Sequence, residues 1–135
     1  MGHGREILDG LKEPTRALAA QIPGVFSAYR AMGKAVMADG ALDAKTKELI
    51  ALAIAVSKQC DGCMASHARA AALRGATADE VAEALGVAVL MNGGPGIAHA
   101  PRAFDAFTEF KAPRDGGGGG RESNPPSWDR HDHPL

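Results

Sequence analysis

The chain has 135 residues, of which 45% are hydrophobic and 4% aromatic, and its formal net charge at pH 7 is -1. This length suits one domain with a real core, and the small charge gives no long-range field to attract nucleic acid or an anionic membrane. The N-terminus lacks the apolar centre of a signal peptide, and the longest apolar run, residues 49–56, is too short to span a bilayer, so we expect a soluble cytoplasmic protein.

The first predicted elements are two helical segments that meet at Pro23. Residues 1–22 form an N-terminal helical segment whose apolar residues follow Pro14. Pro23 closes that segment and opens the next helix, because proline is tolerated in the first turn of a helix. The stretch "PGVFSAYRAMGKAVMADG" predicts a helix that stops at Gly40. Its apolar residues share one face: Val25, Tyr29, Met32 and Val36.

Two further helices come next. Asp43 is a suitable N-cap for the first, whose residues 49–56 are apolar on all sides and therefore predict a buried helix. The second should begin between Cys60 and Cys63. It should end at Gly75, because glycine readily adopts the positive φ that often terminates a helix.

The last two helices are separated by "NGGPG". Thr77 and Glu80 of "TADE" form a capping box that opens a helix to about Met91. Three aromatic residues mark the final amphipathic helix: Phe104, Phe107 and Phe110. The prediction is an all-α domain of five or six helices over residues 23–112, with a thin, alanine-rich core that favours an oligomer.

The C-terminal tail, residues 113–135, differs sharply in composition from the rest of the chain. Five successive glycines and a Pro-Pro pair cannot bury enough surface to offset the entropy lost on ordering, so the tail is predicted to be disordered. Trp128, His131 and His133 leave a peptide ligand or a weak metal site as alternatives to a solvated tail.

The stretch "SKQCDGCMASH" contains both cysteines of the chain. On a helix, Cys60, Cys63 and His67 would lie on one side, because residues three or four apart share a face. A helix start at Cys60 would favour its thiolate, and Cys63 would be near enough for a disulfide after modest adjustment. His67 is placed to exchange a proton with Cys63, which makes the stretch a candidate redox site.

Glu48 is the fourth candidate site residue and lies on the apolar helix before the cysteines. A buried carboxylate needs a partner, and His67 or a thiol could supply it. The alternative is an exposed first-turn position near Lys45 and Lys47. Spacing alone leaves both open.

The same residues are compatible with other chemistries. Zinc would suit Cys60, Cys63 and His67, with Glu48 or His99 as a fourth ligand. Haem attachment would require a histidine at the position of Met64, and a thioredoxin fold would require a strand before the cysteines. Two cysteines packed as small apolar residues are the structural alternative. "GGPG" is a weak phosphate loop because no strand precedes it. His99 either points into the same cavity as the motif or ends a loop, and we expect the loop.

The pattern E-x11-C-x2-C-x3-H, formed by Glu48, Cys60, Cys63 and His67 in a helical chain, resembles the carboxymuconolactone decarboxylase and alkylhydroperoxidase D superfamily. The likeness runs from about Pro23 to Phe110 and includes "MNGGPGIAHAPRAFDAF", which is similar to the closing helix pair of that family.

This resemblance implies an all-α fold assembled as a homotrimer or homohexamer, with a cysteine pair that cycles between dithiol and disulfide. Cys63 would attack a peroxide or disulfide substrate, Cys60 would resolve the intermediate, and His67 and Glu48 would relay protons. No bound cofactor is required, because an external dithiol reductant such as a lipoyl or thioredoxin-like protein would supply electrons.

One residue departs from the peroxidase pattern. A histidine often stands directly before the second cysteine in that branch, whereas this chain has Gly62, which bears on relay efficiency and on whether peroxide is the substrate. The decarboxylase branch, which typically lacks the cysteine pair, is one alternative. No arginine cluster for its carboxylate substrate is evident near the motif, although Arg69, Arg74 and Arg102 are available. A non-catalytic oligomer that senses oxidation or binds zinc is the other alternative.

Overall fold

Six helices make up the part of the chain that the computed structural model describes, residues 3–113. They are α1 Gly4–Gln21, α2 Pro23–Met37, α3 Ala44–Ser57, α4 Asp61–Leu73, α5 Ala78–Asn92 and α6 Gly94–Lys111. No strand occurs within these residues, which confirms the all-α prediction. None of these helices is long and apolar enough to cross a bilayer. The tail residues Trp128, His131 and His133 lie outside the described range.

Helix α1 begins at Gly4 and continues through Pro14. Its first backbone N–H groups have no partner within the helix, and the Glu109 carboxylate accepts hydrogen bonds from those of Gly4 (2.9 Å) and Arg5 (3.3 Å). The Arg5 guanidinium also lies over the Phe110 ring, 4.9 Å from its centroid. These contacts join the start of the chain to the end of α6.

Helix α2 starts at Pro23 as predicted and ends three residues before Gly40. No residue of α2 is buried, and its apolar face is about half exposed: Val25 60%, Tyr29 48%, Met32 56% and Val36 55%. This face therefore contributes little to the core and borders an open cleft instead.

Helix α3 is buried on one side only. Leu52 and Val56 are fully buried, whereas Ile50 and Ile54 are 46% and 50% exposed. The prediction of a helix buried on all sides was wrong. Helices α4, α5 and α6 cover one side of α3, and the helices within residues 3–113 leave Ile50 and Ile54 on its other side exposed. An apolar pattern alone does not distinguish a core face from an unpartnered one.

The core lies where α3, α4, α5 and α6 meet, and small residues let these helices approach closely. Its largest fully buried side chain is Phe107. At Gly96 a Cβ atom would lie 2.9 Å from the Cα of Val89 and 3.0 Å from the carbonyl oxygen of Ala88. The packing of α6 on α5 therefore requires glycine at position 96.

Candidate active site

A tight turn between α3 and α4 positions the first cysteine. The backbone N–H of Gln59 donates to the carbonyl of Val56 (3.0 Å), and that of Cys60 donates to the carbonyl of Ala55 (3.2 Å). These are the paired bonds of a Schellman motif, whose central residue is usually glycine. Here Gln59 adopts a φ of 54°. The turn places Cys60 directly at the start of α4.

Cys60 is the N-cap residue of α4, as the sequence predicts for a helix that begins at the motif. Its sulfur accepts a hydrogen bond from the backbone N–H of Cys63 at 3.3 Å. The two residues form a disulfide, with their Cα atoms 5.2 Å apart. In the reduced form, the helix N-terminus favours the thiolate of a cysteine placed at the cap.

The second part of the site is a carboxylate–imidazole pair. Glu48 is 6% exposed, and its Oε2 lies 2.7 Å from the Nδ1 of His67. The alternative of an exposed first-turn carboxylate is therefore wrong, because the side chain turns inward and His67 compensates for its burial. A carboxylate only accepts hydrogen bonds, so the Nδ1–H of His67 donates and its Nε2 is left to take or give a proton.

The lysines next to Glu48 make other contacts. The Nζ of Lys45 lies 2.8 Å from the Glu80 carboxylate, and the Nζ of Lys47 donates to two backbone carbonyl groups at the end of α2, at 2.6 and 2.8 Å. The hydrogen bond to Glu80 raises the pKa of Lys45 above its ordinary value. His67 is therefore the partner that the fold provides for Glu48.

A cleft of about 850 Å³ opens beside the Glu48–His67 pair. One wall is the C-terminal half of α2, and the other consists of residues of α3 and α4. The cysteines do not line the cleft, and His67 follows Cys63 by one helical turn, about 6 Å along the axis of α4. His67 thus lies between the cleft and the cysteine pair along this helix.

Basic residues of two helices line this cleft. Arg69 and Arg74, which the sequence left available, lie there, and so do Arg30 and Lys34 of α2, which were not predicted. Their spacing of four residues was visible, but α2 is distant from the motif along the chain, and only the fold brings them together. Arg102, which the sequence also left available, lies 3.7 Å from Asp61 instead.

His99 lies inside α6, so the expectation of a loop was wrong. The sequence places Pro95 and Pro101 on either side of it, yet Pro95 falls in the first turn of α6, where proline is tolerated, and the helix continues through Pro101. The Nδ1 of His99 is buried and makes no hydrogen bond within residues 3–113. His99 is also absent from the cleft wall.

Four of the residues considered as zinc ligands are bonded to one another in two pairs, Cys60 with Cys63 and Glu48 with His67. Within residues 3–113, no three His, Cys, Asp or Glu side chains converge as a metal site requires. The arrangement of these two pairs is suited to thiol exchange and proton transfer.

The described residues form an all-helical fold. Cys60 and Cys63 lie at the N-terminus of α4, and His67, one turn further along, is hydrogen-bonded to the buried Glu48. The sequence model of the carboxymuconolactone decarboxylase family matches residues 23–106, which is more than half of the chain. The chain belongs to this family, in agreement with the resemblance found in its motif.

Similar proteins extend this result. An uncharacterized protein of Cupriavidus necator is 41% identical over 96 residues, which cover 71% of this chain and 85% of that protein. The "uncharacterized protein 4 in cox locus" of Paracoccus denitrificans is 41% identical over 100 residues, 74% of this chain and 86% of that protein. The apo crystal structure of a carboxymuconolactone decarboxylase family protein from Legionella pneumophila matches with a TM-score of 0.78 and 38% identity, covering 81% of this chain and 97% of that one.

Proposed function

We propose that this protein is a thiol-dependent oxidoreductase that reduces a peroxide or a disulfide with Cys60 and Cys63. The observation that carries the proposal is the cysteine pair at the N-terminus of α4, one turn from the hydrogen-bonded Glu48 and His67. A redox pair, a helix dipole that favours thiolate and a proton-transfer group are the parts that such a reaction needs.

The oxidative half-reaction starts from the dithiol. His67 Nε2 takes the proton of Cys63, and the thiolate attacks a peroxide oxygen, so that a sulfur–oxygen bond forms while the oxygen–oxygen bond breaks. Cys63 becomes a sulfenic acid, and the protonated His67 returns the proton to the leaving alkoxide, which departs as an alcohol. Glu48 holds the imidazole by its Nδ1 and stabilises its positive charge in this interval.

The second step closes the disulfide. Cys60 attacks the sulfur of Cys63, the sulfenic hydroxyl leaves, and the proton of Cys60 completes a water molecule. The sum is one peroxide and two thiols giving one alcohol, one water and one disulfide. An external dithiol, such as a lipoyl or thioredoxin-like protein, then exchanges with the disulfide and is itself oxidised. This cycle needs no bound cofactor.

The residue at position 62 bears on whether the substrate is a peroxide or a disulfide. Gly62 stands where the peroxidase pattern often has a histidine, so His67 is the imidazole within the motif that serves the thiol. Reduction of a disulfide substrate requires only thiol exchange, with no oxygen leaving group to protonate. Reduction of a peroxide should therefore depend on His67 more strongly than reduction of a disulfide.

A lyase acting on a lactone acid is the second candidate. The observation that favours it is the combination of a buried proton-transfer pair with a cleft lined by basic residues. Such a reaction needs Glu48 and His67 for proton transfer and has no use for the cysteines. The two candidates therefore make opposite predictions for the cysteine variants.

The test of the proposed function is turnover by Cys60→Ser and Cys63→Ser. Each variant should lose about 100-fold or more of its dithiol-dependent turnover of peroxide, because serine cannot take part in the disulfide cycle. Consumption of cumene hydroperoxide and of a small disulfide, with dihydrolipoamide or reduced thioredoxin, is measured alongside thiol titration. Lys58→Ala, in the exposed turn before Cys60, is the matched control and should keep full activity.

Unchanged turnover in both cysteine variants would contradict the thiol mechanism. Activity on a lactone acid that survives both cysteine changes but is lost in Glu48→Gln would instead support the lyase.

A further inference from the structure

The cleft beside His67 carries an unusual charge pattern. Four basic residues line it: Arg30, Lys34, Arg69 and Arg74. Within the described part of the chain, the single carboxylate that lines the cleft is Glu48, which is held by His67. The cleft therefore presents an excess of positive charge, although the whole chain is nearly neutral.

Three of these cations have no acidic partner. No carboxylate within residues 3–113 forms an ion pair with Arg30, Lys34 or Arg74. Several basic residues elsewhere do have one, such as Lys45 with Glu80 and Arg5 with Glu109. Unpaired cations that converge on one concave surface are typical of a site for an anion.

Most of the other residues that line the cleft are apolar. Tyr29, Met32 and Val36 line the side formed by α2, and Leu73 lines the side formed by α4. Their side chains are about half exposed, at 48% to 56%. The volume of about 850 Å³ lies in the range of small-molecule sites. Such a surface is suited to the hydrocarbon part of a ligand.

The polar groups of the cleft differ in exposure. Arg30, Lys34 and Arg74 are exposed, whereas Glu48 is buried and His67 is partly buried. A molecule whose anionic end meets the exposed cations and whose apolar body lies along the walls would place its other end near His67.

We propose that this cleft binds a small anionic molecule with an apolar body, of the class of a medium-chain carboxylate. Binding of this molecule depends only on the cleft. Its identity as the oxidant, an organic hydroperoxide that bears a carboxylate, rests on the proposed function. Its hydroperoxide group extends past His67 toward Cys63, one turn earlier on α4, and reacts with the two thiols in the balanced steps given above.

The test is calorimetric titration of the full chain with decanoate, compared with decanol as the neutral analogue and acetate as the short anion. Decanoate should bind about tenfold or more tightly than either analogue, because only decanoate satisfies both the cations and the apolar walls. Its affinity should fall as salt is raised, since these cations are exposed to solvent.

A triple variant tests the assignment of residues. Arg30→Gln, Lys34→Gln and Arg74→Gln together should weaken decanoate binding about tenfold or more. The matched control is Lys12→Gln with Arg16→Gln, which removes exposed charges of α1 away from the cleft. Circular dichroism verifies that both variants keep the helical fold of the parent.

Three results would overturn the proposal: no decanoate binding, equal binding of decanol, or binding unchanged in the triple variant. If the parent bound no decanoate and the triple variant changed its oligomeric state, the cleft would be assigned to a second copy of the chain.

The oxidant assignment has its own readout. Turnover of a carboxylate-bearing hydroperoxide should exceed that of its methyl ester, and equal rates would refute this step while leaving decanoate binding intact. Absence of both peroxide and disulfide turnover would refute the proposed function without affecting the calorimetric result.

Discussion

At the scale of single residues, Glu48 is the group whose position matters most to the proposed chemistry. It lies in an otherwise largely apolar helix and is 6% exposed, and its carboxylate accepts a hydrogen bond of 2.7 Å from His67. A buried carboxylate without a partner is costly, so this pair is one unit in which each group holds the other. Its effect on thiol chemistry is therefore testable with a nearly isosteric change.

Glu48→Gln should lower peroxide turnover by about 10- to 100-fold, because glutamine keeps the shape of the side chain but loses the charge that stabilises a protonated His67. Peroxide consumption and the rate at which a reduced thiol is alkylated are measured together. Glu83→Gln, an exposed change on α5, is the matched control. Unaltered turnover and alkylation in Glu48→Gln would contradict the proton relay.

The sequence predicted four of the site residues, because Cys60, Cys63 and His67 follow helical spacing and Glu48 is a charged residue next to an apolar run. The structure places these residues in one region as two bonded pairs. Their catalytic roles stay predictions.

The basic residues of α2 could not be predicted from the sequence in this way. No local pattern tells which side of α2 faces the cleft, and only the fold places Arg30 and Lys34 across that cleft from His67. The loop predicted at His99 was wrong because Pro95 and Pro101 suggested a break in the helix, whereas α6 accommodates both prolines.

At the scale of helices, the predicted N-terminal caps of α3 and α5 are confirmed. Asp43 accepts a hydrogen bond from the backbone N–H of Thr46, and Thr77 and Glu80 form the reciprocal bonds of a capping box. Cap signals succeed because their bonds form within one turn. Exposure of a helix face depends on distant partners, and for that reason the outer side of α3 was mispredicted.

Glu80 also links two helices, since its carboxylate pairs with Lys45 of α3 at 2.8 Å. This hydrogen bond, followed by those from Thr77, lowers the pKa of Glu80 below its ordinary value. A lowered pKa means that the charged form stabilises the fold. That stability is present above the unfolded-state pKa, about 4.3, and is lost as the pH falls through the lower folded-state value.

Glu80→Gln should therefore unfold at lower denaturant concentration than the parent at pH 7, and the difference should shrink as the pH falls below about 4. Urea unfolding followed by circular dichroism at pH 7 and pH 3 measures it. Glu83→Gln, on the same helix but without an ion pair in the described residues, should show no such pH dependence. A difference as large at pH 3 as at pH 7 would show that the Glu80 charge is not responsible.

At the scale of the whole molecule, a second apolar surface lies outside the cleft. The end of α5 and the start of α6 expose Val87 (60%), Leu90 (81%), Met91 (76%) and Ile97 (63%). A hydrogen bond of 2.8 Å from Asn92 to Ser57 joins this corner to the end of α3, where Ile54 is 50% exposed. Together these five apolar residues form the corner patch. A patch of this kind is typical of a protein interface.

We expect the corner patch to be the contact between copies of the chain in a homotrimer or homohexamer. Light scattering coupled to gel filtration should find the parent as such an assembly. Leu90→Glu should convert it to a smaller species, because a charge would be buried without a partner at the contact. Leu18→Glu is the matched control, since Leu18 is 52% exposed on α1, outside the corner patch.

A parent chain that is monomeric at micromolar concentration would contradict this expectation. An unchanged assembly in Leu90→Glu would place the contact on another surface, and the apolar face of α2 is the next to test.

The same variant also tests whether the proposed chemistry depends on assembly. Glu48, Cys60, Cys63 and His67 all come from one chain, so a monomeric Leu90→Glu protein should keep peroxide turnover. Loss of turnover on dissociation, with the helical signal unchanged, would mean that a second copy completes the site.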